Sequence, residues 1–309
     1  MEFLYLLEKI RIPGLNEIML AVTTLGEETA FLVIGLFVFW CVNKKWGYYV
    51  MSVGFLGNIL SQFMKILCRV PRPWVQDPNF TILEQARGAA SGYSFPSGHT
   101  QSAVGTLGAV ARCTKNRLLR VGCIVLAVMV GFSRMYIGVH TPADVLVGAA
   151  MSVVFIFALY PIMFGKADKT LYVLTGVSLL SIAYLIFVHT YPFPADTDVH
   201  NYESAMKNSY TLLGSTIGLA LVYPLEKRFV NFSEKATWTV QLLKFLLGLA
   251  VVLAVKEGLR APLEALLNGH LAARSIRYFL IVIVAGFLWP MSFRFFSRIG
   301  VKKCNCQSK

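Results

Sequence analysis

Tyr93-Ser94-Phe95-Pro96-Ser97-Gly98-His99-Thr100 stands between a polar, loop-like segment, residues 74–92, and an apolar, small-residue segment that begins at Gln101. Pro96-Ser97 reads as a helix start, because proline is tolerated in a first turn and serine caps well. Gly98 lets a ligand come close to the backbone, and first-turn N–H groups carry partial positive charge. The stretch can hold an anion such as phosphate, with His99 beside it to move a proton. A plain loop-to-helix junction with a boundary histidine fits these eight residues equally well.

The surroundings are those of a membrane protein. Of 309 residues, 56% are hydrophobic and only 15% are charged, a composition outside the soluble range. Several apolar runs approach the roughly 20 residues that cross a bilayer. The net charge of +13 then reads as asymmetry between loops. No basic stripe with interleaved aromatics stands out, so nucleic acid is not expected as a partner. Met1-Glu2-Phe3-Leu4 lacks the basic start of a signal peptide.

Residues 1–26 read as two short interfacial helices broken at Arg11-Ile12-Pro13-Gly14. About nine spans follow, near 29–42, 48–67, 100–111, 118–132, 143–164, 171–188, 209–225, 238–255 and 277–293. The third is short for a bilayer and must start or end within protein or the headgroup layer. Residues 261–274 read as a further interfacial helix. The fold class is all-α, a polytopic helical bundle. Its divisions are an N-terminal part (1–26), a core (27–190) and a C-terminal extension with a tail (191–309).

Alternating these spans separates two sets of loops. The set containing Lys44, Lys45, Arg112, Lys115, Lys166 and Lys227 is richer in Lys and Arg than the other. By the positive-inside rule that set faces the cytoplasm, as does the C-terminus, and the opening motif faces outward. Only Cys68 then lies on the outer face, so no disulfide is expected. Cys304-Asn305-Cys306 reads as a solvated tail.

Three charged clusters gather at outer span ends: Lys65-x6-Arg72-Pro73, Pro96-Ser97-Gly98-His99, and Ser133-Arg134-x5-His140-x3-Asp144. Together they suit phosphoryl transfer, which requires anionic oxygens to be held and neutralised. Lys65 offers a point charge, while Arg72 and Arg134 can each grip two oxygens. The Ser97 and Gly98 N–H groups and the Ser97 hydroxyl add donors. His140 is the candidate nucleophile, since Asp144, four residues on, can hold one ring nitrogen and leave the other to attack. His99 is the candidate acid, and later the base that activates water.

Each piece has a plainer reading. Thr141-Pro142-Ala143-Asp144 also matches a helix start with a capping threonine and an acid at the third position. Arg134 also fits a snorkelling anchor. Zinc held by His99, His140 and Asp144 would be repelled by Lys65, Arg72 and Arg134. Asn58, Ser61 and Gln62 form a polar stripe leading to Lys65 that helix packing also explains. His189, Asp196, Asp198 and His200 sit on the outer side, where a solvated loop accounts for them. His270 is assigned nothing.

The three clusters, with Gly92-Tyr93-Ser94-Phe95 and Ser133-Arg134-Met135-Tyr136 around them, resemble the type 2 phosphatidic acid phosphatase (PAP2) superfamily, which includes the vanadium haloperoxidases. The resemblance covers roughly residues 15–190. It implies a six-helix core, His140 as nucleophile with Asp144 as its partner, and His99 as acid. It also implies a phosphate cradle of Lys65, Arg72, Ser97, Gly98 and Arg134, with no metal or cofactor. The nine-span layout is similar to glucose-6-phosphatase and sphingosine-1-phosphate phosphatase. The implied activity is hydrolysis of a lipid phosphate or diphosphate in a bacterial plasma membrane. Polyprenyl diphosphate leads, with phosphatidic acid, phosphatidylglycerophosphate and sphingoid phosphates behind it. Soluble phosphate esters are the alternative substrate, and oligomeric state is left open.

Overall fold

In the computed structural model, residues 1–299 are described except 89, 91, 195 and 196, and the side chains of 297–299 are left out. Asp196 and the Cys304–Cys306 tail lie outside the described residues. All regular structure among the described residues is helical. The N-terminal part is α1 (Glu2–Lys9) and α2 (Pro13–Thr23). The core is α3 (Glu28–Phe37, with a π-turn to Val42), α4 (Lys44–Cys68), the short α5 (Pro73–Gln76), α6 (Gly98–Cys113), α7 (Arg117–Ile137), α8 (Pro142–Phe164) and α9 (Thr170–Thr190). The extension is α10 (Val199–Leu225), α11 (Trp238–Gly258), α12 (Arg260–Leu266) and α13 (Ala272–Ile283), followed by a π-turn and two short helices, α14 (Trp289–Met291) and α15 (Phe293–Ile299).

Every one of the nine expected spans is a helix, but they are not equal. Six stretches are long and apolar enough to cross a membrane, or seven if the α2–α3 pair, bent by 59°, counts as one span. The exceptions are α6, with 16 residues, and α10, which carries many polar ones. Both are enclosed by other helices: α6 packs on α4, α7 and α8, and α10 on α9, α13 and α4. A helix shielded from lipid need be neither long nor uniformly apolar, because protein satisfies its polar groups.

Between lipid-embedded helices the solvent gives little drive to associate, so close packing and interhelical hydrogen bonds hold the bundle. Ser152 Oγ donates to the Gln101 carbonyl at 2.7 Å and Tyr49 to the Ile156 carbonyl at 2.6 Å. The Ser181 and Thr216 hydroxyls meet at 2.7 Å between α9 and α10. Core and extension are tied at the end opposite the Tyr93–Thr100 motif. There Trp40 Nε1 donates to the Ala285 carbonyl, Lys244 Nζ to the Trp40 carbonyl, and Lys44 Nζ to Glu226, Asn231 and the Phe232 carbonyl. The Lys44–Glu226 pair is 2.9 Å long, with Glu226 almost wholly enclosed.

An uncompensated enclosed charge is costly. Lys44→Met, which leaves Glu226 enclosed without its cation, should therefore destabilise the protein by about 2 kcal/mol, read as a lower midpoint of thermal unfolding in detergent. An unchanged midpoint would show that Glu226 does not depend on Lys44.

Candidate active site

The starts of α6 and α8 and the ends of α4 and α7 build the site, with Arg72 at the start of the short α5. Ser97 caps α6, its hydroxyl accepting from the Thr100 N–H at 3.4 Å and the Thr100 hydroxyl at 2.9 Å. Thr141 caps α8 in a reciprocal box, with Pro142 in its first turn: the Asp144 N–H donates to Thr141 Oγ1, and Asp144 Oδ2 accepts from the Thr141 N–H at 2.8 Å. The end of α7 is turned by Gly138 at φ +93°, the left-handed region that favours glycine. A Cβ there would lie 2.8 Å from Arg11 Nη2 and 3.0 Å from the Phe80 ring. That tight turn carries the chain from Arg134 round to His140. The two caps touch each other: the Ser97 N–H donates to the Asp144 carbonyl at 2.9 Å. Gly148 makes the approach possible, since a Cβ on it would sit 2.7 Å from the Ser97 carbonyl.

The cap reading of Asp144 and the chemical reading both describe the same carboxylate. Its Oδ2 accepts from the Thr141 N–H, from Ser94 Oγ at 2.5 Å, and faces His140 Nδ1 at 3.4 Å. On the other edge of the imidazole, Arg72 Nη1 lies 2.8 Å from His140 Nε2. A guanidinium can only donate, so Nε2 accepts and the ring proton belongs on Nδ1, directed at Asp144. Enclosure comes first among the causes that hold the His140 imidazole well below its ordinary pKa, with Arg72, Arg134, Lys65 and His99 adding to it. The ring is neutral, with its Nε2 lone pair toward the cavity side.

A cavity of about 380 Å³ opens beside that nitrogen. Lys65, Arg72, Gly98, His99 and His140 all line it. Ser97, Arg134 and Asp144 are buried behind that wall. Lys65 Nζ donates to the Tyr93 carbonyl, and Arg72 Nε to the Gly92 carbonyl. Arg134 Nη1 donates to Thr23 Oγ1 at 2.7 Å, while its Nε is buried without a partner, as is His99 Nε2. Among the described residues neither Lys65 nor Arg134 has a carboxylate within ion-pair distance. Two buried cations with no carboxylate in direct contact suit an anionic ligand from outside.

One expected donor is corrected. The Ser97 N–H does not face the cavity, because the Asp144 carbonyl already occupies it. The Gly98 backbone remains at the cavity wall. Among the described residues no group of three or more His, Cys, Asp or Glu is arranged to hold a metal ion.

Of the polar stripe, Asn58 and Gln62 line the cavity, whereas Ser61 is buried with its hydroxyl unpartnered. His189 pairs with Tyr210, Asp198 caps α10, and His270 accepts from the Ala272 N–H. None of these three lines the cavity. Asp198 and His200 line a separate hollow.

Three participants escape a reading of sequence. Ser94 stands inside the opening motif but had no partner until the fold brought Asp144 to it. Thr23 comes from α2 and gives no signal. Asn208, from α10 of the extension, lines the same cavity as His99 and His140.

Comparison with known proteins agrees with this architecture. Residues 45–168 match the PAP2 superfamily, and residues 210–302 match the PAP2 superfamily phosphatase, transmembrane extension. The chain is 30% identical over 163 residues to phosphatidylglycerophosphatase B of Bacillus subtilis (strain 168), covering 48% of this chain and 75% of that one. It is 27% identical to undecaprenyl-diphosphatase BcrC of the same organism, covering 38% and 58%. To sphingosine-1-phosphate phosphatase 1 of Rattus norvegicus it is 26% identical, covering 64% and 45%. No solved structure matches the chain. With the three motifs assembled round one cavity and both matched segments in register with core and extension, the chain belongs to the PAP2 superfamily.

Proposed function

We propose that this integral-membrane protein is a metal-independent phosphatase that removes phosphate from a lipid phosphate or polyprenyl diphosphate on the extracytoplasmic face. The observation that carries the reading is the environment of His140: a neutral imidazole, oriented by a carboxylate and set near the buried Lys65 and Arg134, neither of which has a carboxylate in direct contact among the described residues. Residues 27–190 supply the chemistry and 191–309 the extension.

Substrate phosphate enters between Lys65, Arg72 and Arg134, with Gly98 and the Ser97 hydroxyl at its edge. Arg72 leaves His140 Nε2 for a phosphate oxygen, exposing the lone pair. Nε2 attacks phosphorus as the P–O bond to the lipid breaks, and His99 protonates the departing oxygen. Ser94 and Thr141 fix Asp144, which holds the Nδ1 proton as the ring gains positive charge. His99 then takes a proton from water, whose oxygen attacks phosphorus. The N–P bond breaks, phosphate departs, and Nε2 returns to its starting state.

The proposed sidedness rests on charge. Lys44, Lys45, Arg112 and Lys227 contact Glu226, Phe164, Tyr160 and Asp168 at the helix ends away from the cavity. The names of the relatives support lipid phosphates and diphosphates as the substrate class.

The test is phosphate release from undecaprenyl diphosphate, phosphatidic acid, phosphatidylglycerophosphate, a sphingoid phosphate and glucose 6-phosphate, each with and without a chelator. A lipid substrate should lead the panel, with its rate unchanged by chelation. Preference for the sugar phosphate would make this a hydrolase of soluble esters, and loss of activity on chelation would remove the histidine mechanism.

A further inference from the structure

The catalytic cavity does not end at the cradle. Glu28, Thr29, Phe31, Asn58 and Asn208 line both that cavity and a second one, of about 120 Å³, that runs between the core and the extension. Beyond this shared neck the walls turn apolar. Leu36 and Phe39 of α3 face Leu212 and Leu219 of α10, Val252 of α11 and Ile281 of α13. Its charged lining residues are Glu28 and Lys256, and these lie near each other at the neck end. The α3 wall from Glu28 to Phe39 is about 16 Å long at about 1.5 Å per residue. That is about half the hydrocarbon thickness of a bilayer, the depth of one leaflet.

Helix interiors close-pack, and an apolar void that excludes water has nothing of the protein to fill it. Here the void shares its neck with an anion site at one end and is walled mainly by apolar side chains at the other. We infer that this crevice receives the hydrocarbon chain of the lipid phosphate, so that the C-terminal extension, rather than surrounding lipid, holds the substrate's tail. Asn208 on α10 stands where headgroup gives way to chain and joins the two functions on one helix. The inference rests on the lipid-phosphatase reading above and adds the place of the tail to it.

Hexadecyl phosphate with a photoreactive diazirine near the chain terminus tests this directly, using the full-length protein in detergent. Irradiation followed by peptide mapping should label α10, α11 and α13. Labelling confined to α6, α7 and α8 would overturn the inference.

A second measurement uses Gly35, on the crevice wall, where a Cβ would meet nothing closer than Met51 Cγ at 3.6 Å. Gly35→Leu projects a larger side chain into the void. The ratio of kcat/KM for hexadecyl phosphate to that for butyl phosphate should fall at least about tenfold, roughly the selectivity one or two methylenes carry in an apolar pocket. An unchanged ratio would also overturn the inference. A wild-type protein that hydrolyses butyl phosphate but not hexadecyl phosphate would instead refute the lipid-phosphatase reading itself.

Discussion

His140→Ala should lower phosphate release by on the order of 10⁴-fold, with the protein still folded. The expectation follows from the tautomer set by the neighbours of His140. Arg72 donates to Nε2, and Asp144 with Ser94 faces Nδ1, so the ring presents one lone pair and that lone pair faces the cavity. No other side chain lining the cavity is placed to replace it: His99 has its Nε2 buried and unpartnered but lacks a carboxylate orienter. The measurement is release of phosphate from the best lipid of the substrate panel, beside a rapid quench with radiolabelled substrate. Wild-type protein should carry an acid-labile label, and the variant none. Wild-type turnover by the variant would sink the covalent mechanism. Loss of turnover with retention of the label would move the nucleophile elsewhere.

Arg134→Ala should reduce kcat/KM by about 10²–10³-fold, the usual loss when a preorganised donor to a developing charge is removed. The distinguishing result concerns stability. Arg134 is 1% exposed and donates through Nη1 to Thr23, with Nε unpartnered and, among the described residues, no carboxylate within ion-pair distance. A cation kept buried for an anionic ligand strains the empty protein, so its removal should leave the thermal midpoint of the ligand-free protein unchanged or higher. The same variant should lose the upward shift that inorganic phosphate gives the wild type, because stabilisation by a ligand depends on its affinity for the folded state. A structural anchor would behave in the reverse way: the midpoint would drop and the phosphate shift would persist.

The helices and the three clusters were legible because both are local signals. Apolar run length reports spans, and Lys65, Arg72, His99, Arg134 and His140 each stand within a short motif beside a helix end. The overlap in Asp144 was half legible. Its cap and its contact with His140 each follow from a spacing of three or four residues, but nothing in the spacing says that one oxygen serves both. Contacts across the bundle were beyond reach. The Ser97 N–H meets the Asp144 carbonyl only because Gly148 lets α8 approach the cap of α6. Thr23 and Asn208 reach the site from α2 and α10, far from the motifs in sequence, and polar residues in membrane helices usually serve packing. The short α6 and the polar α10 fall outside a count by length and hydropathy, and enclosure by neighbours removes the requirement both criteria measure.

On the proposed mechanism, the contact between Arg72 and His140 would make the resting enzyme its own inhibitor. With the guanidinium on Nε2, that nitrogen is masked from an electrophile that enters. A neutral ester would offer Arg72 nothing better than the imidazole it already has. A phosphate would offer charged oxygens, and in taking them Arg72 would uncover the nitrogen as phosphorus arrives. Selection for anions would then be made before chemistry begins, by the same side chain that later steadies the reaction. Phosphate left behind after turnover would keep the latch open, so that its release would also lock the site again.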